Sequence, residues 1–156
     1  MERELAFIVK EEILRNVLKT HTIILILGWR GTGKTVSSLR ALKGVWKPYY
    51  FNASGAPFGQ DLYPHNDDVT VLGRLDELPK TLSAETVLLI DDFDGAPEEV
   101  VGAVKKIISE HSFPGKLIIT AQAQPKLDEV GPSVDAVVRM KESTAQILHT
   151  RLLDIF

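Results

Sequence analysis

The segment with the clearest chemistry is a glycine-rich stretch, residues 28 to 35, with the sequence GWRGTGKT. It fills every fixed position of the phosphate-binding pattern G-x-x-x-x-G-K-[ST]. Glycines let the backbone wrap an anion with N–H groups pointing inward, and the helix that follows directs its positive dipole end to the same anion. In this pattern Lys34 reaches the β and γ phosphates, and the Thr35 hydroxyl is a ligand of Mg²⁺. The stretch predicts a nucleoside triphosphate site with Mg²⁺ as a cofactor.

The loop and the first residues of its helix are expected to line the nucleotide. An apolar, β-branched run at 22–27 precedes the loop and a helical stretch at 35–43 follows it, which is the context that the pattern requires. Trp29 is not needed by phosphate chemistry, so it either covers the nucleotide, meets a partner or packs. The predicted cofactor-binding residues are Gly28, Trp29, Arg30, Gly31, Thr32, Gly33, Lys34, Thr35 and Val36.

A second signal is an apolar run at 87–90 that ends in two acidic residues, Asp91 and Asp92. A carboxylate at the tip of a strand beside a phosphate loop can hold the metal ion or its waters, and Asp91 is assigned that role. Asp92, one residue further out, is assigned to position or deprotonate the attacking water. The alternative is that both acids merely end a strand, with Asp94 capping the next helix.

A third signal is that the fourth predicted strand, at 116–120, is followed by polar residues at its end. Thr120 and Gln122 are predicted to contact the γ phosphate or the attacking water. Thr is also common in strands because of its β-propensity, so a structural role for Thr120 stays open.

Strands and helices alternate along the chain. Helices are predicted at 2–19, 35–43, 97–111 and 142–155, with a short one at 71–82 that Pro79 breaks. Strands are predicted at 22–27, 47–52, 85–90, 116–120 and 134–140, and residues 52–68 form a long irregular loop. This order predicts an α/β fold, a three-layer open parallel sheet with helices on both faces, in a single domain covering residues 1–156.

Composition narrows the class of protein. The chain has 156 residues, 44% of them hydrophobic, a net charge of −3 and no cysteine, which excludes disulfides and thiolate metal sites. No apolar run is long enough to span a bilayer and the N-terminus lacks a secretory pattern, so a cytoplasmic location is expected. Residues 13–60 contain no acid, whereas 61–113 are acidic. The basic part would serve the nucleotide or, alternatively, a nucleic acid.

These motifs resemble the AAA+ and related additional-strand P-loop ATPases. Residues 28–35 match Walker A, 87–92 match Walker B and 117–122 match the sensor-one strand. The resemblance implies five strands in the order 5-1-4-3-2, with ATP and Mg²⁺ at their carboxyl ends. The acid pair and the run 118–125 are similar to the replication-initiator and helicase-loader clade, and the form RGTGKT at 30–35 is also similar to archaeal-type signalling ATPases.

The chain departs from that family in two places. In place of the family's helical lid domain, only the helix predicted at 142–155 is expected after the fifth strand. No arginine precedes that strand where the family has its trans-acting finger. Arg74, Arg139 and Arg151 are the possible substitutes, although each also suits a surface or salt-bridge role.

The expected function is a Mg²⁺-dependent ATPase, slow without a partner, that acts as a motor, loader or switch on a protein or nucleic acid. A homo-oligomer is a further hypothesis. One alternative is a nucleotide-binding switch with negligible hydrolysis. Another is a small phosphotransferase whose acceptor site is the loop 52–68. No Asn-Lys-x-Asp signature for guanine is present, so ATP is favoured over GTP.

Overall fold

The computed structural model describes residues 2–109, 113–122, 134–142 and 144–148. Short 3-10 helices lie at Gln60–His65, Leu75–Glu77 and Phe93–Gly95. The helices and strands are α1 (Glu2–Thr20), β1 (Ile23–Leu27), α2 (Lys34–Leu42), β2 (Lys47–Asn52), β3 (Thr70–Leu72), β4 (Thr86–Asp91), α3 (Glu98–Ser109), β5 (Lys116–Ala121), β6 (Ala136–Met140) and β7 (Ala145–Leu148).

The strands form one sheet in the order β3-β2-β4-β5-β1-β6-β7. All neighbouring pairs are parallel except β6 and β7, which are antiparallel. The prediction of five strands is therefore wrong in number, because a further strand is added at each edge of the five that were expected. Those five follow one another as β6-β1-β5-β4-β2. Since parallel strands end at the same edge, the tips of β1, β4 and β5 lie close together at the carboxyl edge of the sheet.

Helices cover both faces of the sheet, as a run of apolar strands without alternation predicts. In β1, Leu25 and Leu27 belong to the core beneath α3, whereas Ile24 and Ile26 belong to the core beneath α1 and α2. Every residue of β4 is buried. The result is a mostly parallel α/β fold in three layers.

Two predicted helices are replaced by edge strands. Residues 71–82 form β3 and a 3-10 turn, with Val71 of β3 paired to Tyr50 of β2. The helix predicted at 142–155 is also wrong where the structure describes it, because residues 145–148 are β7 and pair with β6; residues 149–156 lie outside the described part. A short apolar run fits both periods, and an open sheet edge supplies the hydrogen bonds that favour a strand.

The large apolar residues of α1 are buried only in the second half of the helix. Leu14 and Val17 are covered by the sheet and α2, whereas Leu5, Ile8 and Val9 are exposed. In the same part of α1, Glu4 forms an ion pair with Arg40 and Phe7 packs edge-on against His65.

The long loop at 52–68 packs back onto the sheet. Phe58 lies edge-on between Tyr50 and Tyr63, with ring centroids 4.8 Å apart in each pair. Asn66 is buried and donates from Nδ2 to the carbonyl of Leu39 in α2 at 2.9 Å. These contacts hold the segment after β2 against α2.

Candidate functional site

The glycine-rich loop connects the tip of β1 to the start of α2. Gly31 and Gly33 have positive φ angles of 85° and 82°, a conformation that side chains with a Cβ disfavour. Gly33 is the N-cap residue of α2, and no side chain caps this helix end. The first N–H groups of a helix have no partner within it, so they are open to a ligand at the carboxyl edge of the sheet.

Lys34 is folded back over the loop. Its Nζ donates to the carbonyl oxygens of Gly28 and Trp29, the second at 3.0 Å. Burial lowers the pKa of Lys34, and the carboxylates at the end of β4 oppose that shift, Asp91 most of all. The amine therefore lies between the loop's backbone and these acids.

The carboxylate of Asp91 is buried and collects hydroxyl groups from three strands or helices. Thr35 of α2 donates to both of its oxygens, at 2.9 and 2.8 Å. Tyr50 of β2 donates at 2.7 Å, and Thr120 of β5 donates to the other oxygen. Thr35 and Asp91, the two predicted metal ligands, are thus in direct contact. An all-oxygen pair of hydroxyl and carboxylate suits Mg²⁺, so the residues present fit that ion.

Asp92 differs from Asp91 in exposure and in backbone conformation. Its φ and ψ of 56° and 54° make it the one residue other than glycine with a positive φ in the described part of the chain. Its backbone N–H donates to the Thr120 hydroxyl at 3.0 Å, which holds the turn after β4 against β5. The exposed carboxylate faces a cavity, and such strained backbone often accompanies a functional site.

That cavity has a volume of about 330 Å³ and lies between the loop, β4 and β5. It brings together most of the predicted site residues. Sequence reasoning had not assigned Asn52, Asp94 or Ala121 to it. The cavity is lined by Arg30, Gly31, Gly33, Lys34, Thr35, Val36, Asn52, Asp91, Asp92, Asp94, Thr120, Ala121 and Gln122.

Asp94, the candidate cap of the next helix, lies four residues before the start of α3. Its carboxylate accepts the backbone N–H of Gln122 at 2.5 Å, and α3 begins only at Glu98. The contact joins the turn after β4 to the tip of β5, so it shapes the cavity wall where Gln122 was predicted to act.

A second cavity of about 580 Å³ lies on the other side of the loop, against the end of β6. Its lining includes Gln122 and the three predicted loop residues that do not line the first cavity, which are Gly28, Trp29 and Thr32. Trp29 is 74% exposed there, which excludes a core role for its ring. The space at Gly28 is tight, because a Cβ at this position would lie 2.7 Å from the Thr32 hydroxyl.

Tyr50 and Asn52 are site residues that the sequence did not reveal. Asn52 donates from Nδ2 to the Tyr50 hydroxyl at 3.2 Å, and its Oδ1 accepts from the backbone N–H of Ser54 and of Ala56. Burial raises the pKa of Tyr50, and Asp91 adds to the rise, so its hydroxyl stays protonated and donates. Asn52 is the register partner of Asp91 when β2 pairs with β4, and this alignment could have indicated that Asn52 belongs to the site.

The proposed substitute arginines are spread apart. Arg74 is exposed and pairs with Asp76, Arg139 lines the second cavity, and Arg151 lies outside the described residues. Within the described part of the chain, Arg30 is the one arginine along the first cavity. No helix in the described part of the chain is both long enough and apolar enough to cross a membrane.

Comparisons with known proteins add evidence on the fold. No family model and no curated protein matches the sequence. The structure is similar to that of the ATPase EscN of the enteropathogenic E. coli type III secretion system, in complex with its central stalk EscO. The TM-score is 0.56 at 12% identity, over 78% of this chain. The chain shares its fold with part of the EscN chain. It spans 42% of the EscN chain.

A further match is the VirB11 ATPase of the Brucella suis type IV secretion system, in complex with sulphate. Its TM-score is 0.47 at 13% identity, over 88% of this chain and 50% of that one. A TM-score below 0.5 does not establish a shared fold.

Proposed function

We propose that this chain is a Mg²⁺-dependent ATPase whose nucleotide state controls a partner. The observation that carries the proposal is the direct contact of Thr35 with Asp91 at the uncapped start of α2. It joins the last residue of the phosphate loop to the tip of β4, at the edge of a cavity that Lys34 and Asp92 also line. A triphosphate in that cavity would meet helix N–H groups, an ammonium group and a metal site together.

The described residues divide the work. The loop N–H groups and Lys34 bind the phosphates, and Thr35 and Asp91 hold Mg²⁺, which neutralises charge on the β and γ phosphates when it is bound. Tyr50 donates to Asp91 and keeps the carboxylate oriented. Arg30 and Asn52 extend the wall of the cavity on either side.

Asp92 is assigned to the attacking water. Its carboxylate is exposed and its backbone turn is fixed by Thr120 and by the 3-10 turn that follows. A water held there attacks the γ phosphorus, the bond from that phosphorus to the β–γ bridging oxygen breaks, and ADP and phosphate leave. Asp92 orients the water or accepts its proton, the work of a general base. Gln122, at the tip of β5, is the second group for the γ phosphate.

The second cavity suits the nucleobase of the bound nucleotide. It adjoins the loop and has apolar walls from Leu27, Trp29 and Met140, which match the flat apolar faces of a purine. Trp29 would then report binding through its fluorescence. ATP is preferred over GTP because the sequence lacks a guanine-reading signature.

The partner is a protein or a nucleic acid, and a second copy of the chain is one such protein. The position of β5 between β1 and β4, as the AAA+ resemblance implies, supports an additional-strand ATPase. With Arg30 as the one arginine along the described cavity wall, hydrolysis is expected to be slow until a partner supplies charge, since an arginine finger contributes about 10³ to 10⁵ in rate where it is used.

The test is phosphate release from ATP with Mg²⁺, for the native chain and for Asp92→Asn, with and without single-stranded and duplex DNA. Asn keeps the side-chain shape and tolerates positive φ, so the variant removes the charge with little disturbance of the backbone. Turnover that collapses in Asp92→Asn supports the ATPase. Asp68→Asn is the matched control, because Asp68 is exposed and lies outside the cavity.

A second candidate is a switch with negligible turnover, favoured by the near absence of arginine in the described cavity wall. It predicts tight binding of ATP and of ADP, no phosphate release in any condition, and no effect of Asp92→Asn. A phosphotransferase is disfavoured, because the loop at 52–68 is packed against α2 and the sheet through Phe58 and Asn66.

A further inference from the structure

Lys10 is a lysine in the interior of the protein. Its residue is 2% exposed, although it belongs to α1, a helix with a charged outer face. Its Nζ donates to two backbone carbonyls, that of Thr32 at 2.6 Å and that of Glu142 at 3.0 Å. One side chain therefore connects α1, the phosphate loop and the segment between β6 and β7.

The environment of this ammonium group is unfavourable for a charge. Among the described residues no carboxylate forms an ion pair with Lys10. Burial lowers the pKa of Lys10, and the more distant charge of Glu142 opposes this only in part. Two carbonyl oxygens satisfy two of its three donors, but a buried cation without an anion still costs stability. A methylene chain of similar volume would avoid that cost.

The position of the Lys10 ammonium group, close to the phosphate loop, indicates a function for its charge. The Nζ of Lys10 lies 3.8 Å from the point where a Cβ on Gly33 would stand, so it is directly behind the loop. The Thr32 carbonyl that it holds shares a peptide unit with the N–H of Gly33. In a trans peptide the C=O and the N–H point in opposite directions. Holding the carbonyl toward α1 therefore turns the Gly33 N–H away from α1.

We propose that Lys10 is a positioning residue for the phosphate loop, which fixes the Thr32–Gly33 peptide for anion binding and places a positive charge behind it. The proposal rests on the proposed function, since the anion is the phosphate chain of a nucleotide. Binding of that anion compensates the buried cation, so α1 is most stable on the sheet when the loop is occupied. Nucleotide occupancy is in this way linked to the position of α1 and of the segment after β6.

Lys116 offers a matched control at the other end of the same helix. Its Nζ also donates to two backbone carbonyls, those of Leu18 and His21, the second at 2.8 Å. Burial lowers the pKa of this lysine too. It lies at the start of β5, at the amino edge of the sheet, and lines neither cavity.

The experiment compares Lys10→Met, Lys10→Gln and Lys116→Met with the native chain. Calorimetry with Mg²⁺ and ADP gives the affinity, and thermal unfolding without nucleotide gives the stability of each variant. For Lys10→Met we expect an unfolding midpoint close to the native one, because removal of the desolvated charge offsets the loss of its two hydrogen bonds. We expect an affinity about 10- to 100-fold weaker, the range of a charge-assisted hydrogen bond. Lys116→Met should lower the midpoint and leave the affinity within about twofold, since no contact with the loop is lost.

The outcomes separate the two proposals. A folded Lys10→Met chain that binds ADP as tightly as the native chain overturns the role of Lys10 and leaves the proposed function standing. A native chain that binds neither ADP nor ATP overturns both. If Lys10→Met fails to fold, Lys10→Gln decides, because it keeps a donor for one carbonyl without the charge. Native affinity in that variant would show that the charge has no part in binding.

Discussion

The carboxyl edge and the amino edge of the sheet contain similar polar groups, but these groups differ in burial and in their contacts. At the carboxyl edge, Asp91 and Lys10 are buried, Asp92 has a positive φ, and α2 begins without a cap. At the amino edge, charged side chains satisfy backbone groups and keep contact with solvent. Asp135 accepts from the N–H of Ile23 at 2.8 Å and of Thr22 at 3.0 Å.

Other contacts at the amino edge follow that pattern. Arg15 donates to the last carbonyls of α2, those of Ala41 and Arg40, at 3.3 and 3.2 Å. Lys116 caps the end of α1 and lies over the ring of Trp46, 5.3 Å from its centroid. Basic side chains at helix ends of this kind stabilise the helix through its dipole.

The difference between the two edges indicates that the carboxyl edge contributes less to folding stability than the amino edge. The amino-edge backbone groups named above are satisfied within the protein. At the described carboxyl edge, α2 begins without a side-chain cap and Asp92 has a positive φ. Such features are expected where a ligand completes the site. Substitutions at the carboxyl edge should therefore change nucleotide binding or turnover more than folding, and those at the amino edge should do the reverse.

The largest effect is expected for Lys34→Met. Loss of the ammonium group at the developing charge should reduce phosphate release by about 10² to 10³, as for other preorganised donors. Unfolding without nucleotide should change little, because burial already lowers the pKa of this lysine and so disfavours its charge in the folded state. Phosphate-release kinetics and thermal unfolding check the two parts.

A Lys34→Met chain that turns over at the native rate would contradict the assignment of the loop. A chain that loses several degrees of its unfolding midpoint would instead show that Lys34 is needed for folding, through its contacts with Gly28 and Trp29, and would weaken the contrast between the edges.

The second prediction concerns the amino edge. At Gly115 a Cβ would lie 1.8 Å from the carbonyl oxygen of Thr86. Gly115→Ala should destabilise the fold by about 1 to 3 kcal/mol, as other overpacking changes do, with nucleotide affinity unchanged in the folded fraction. Denaturant unfolding and calorimetry give both numbers. The matched control is Gly102→Ala in α3, where a Cβ meets nothing within 4 Å and stability should rise by about 0.5 to 1 kcal/mol.

The fold could be predicted from the sequence where the signal was long and apolar. Strands β1, β4 and β5 are runs of buried residues, and the phosphate loop fixes what precedes and follows it. The edge strands β3 and β7 could not be predicted, because three or four residues such as 70–72 carry no reliable period. Their pairing depends on the open edges of β2 and β6, which only the tertiary structure supplies.

The site was predictable where one segment carries a motif. Thr35 and Asp91 were assigned together, and the structure brings them into contact. Tyr50 could not be assigned, because its hydroxyl reaches Asp91 only through the register of β2 on β4. Lys10 left a weak signal: it stands four residues before Leu14 and seven before Val17, on the buried face of α1. In the sequence, a lone lysine at such a position looks the same as a lysine on the charged face.

The third prediction is Asp135→Ala, which removes the acceptor of two backbone N–H groups at the start of β1. We expect a loss of about 1 to 2 kcal/mol in the free energy of unfolding, the size of a hydrogen bond to a charged group. Nucleotide affinity should not change, since Asp135 lines neither cavity. Denaturant unfolding with and without ADP measures both. A loss of affinity in the folded chain would show that the amino edge is coupled to the site.

The smallest expected effect is the difference in stability between Asp92→Ala and Asp92→Asn. Both variants should lose turnover, because both remove the carboxylate. They should differ in stability, since Asn tolerates the left-handed conformation of this residue and Ala does not, a difference of about 1 kcal/mol. The same pair of substitutions at Asp68, whose φ is not positive, should show no such difference. Equal stability of the two variants at position 92 would mean that the turn after β4 relaxes to an ordinary conformation, and that Thr120 does not hold the carboxyl edge in its strained form.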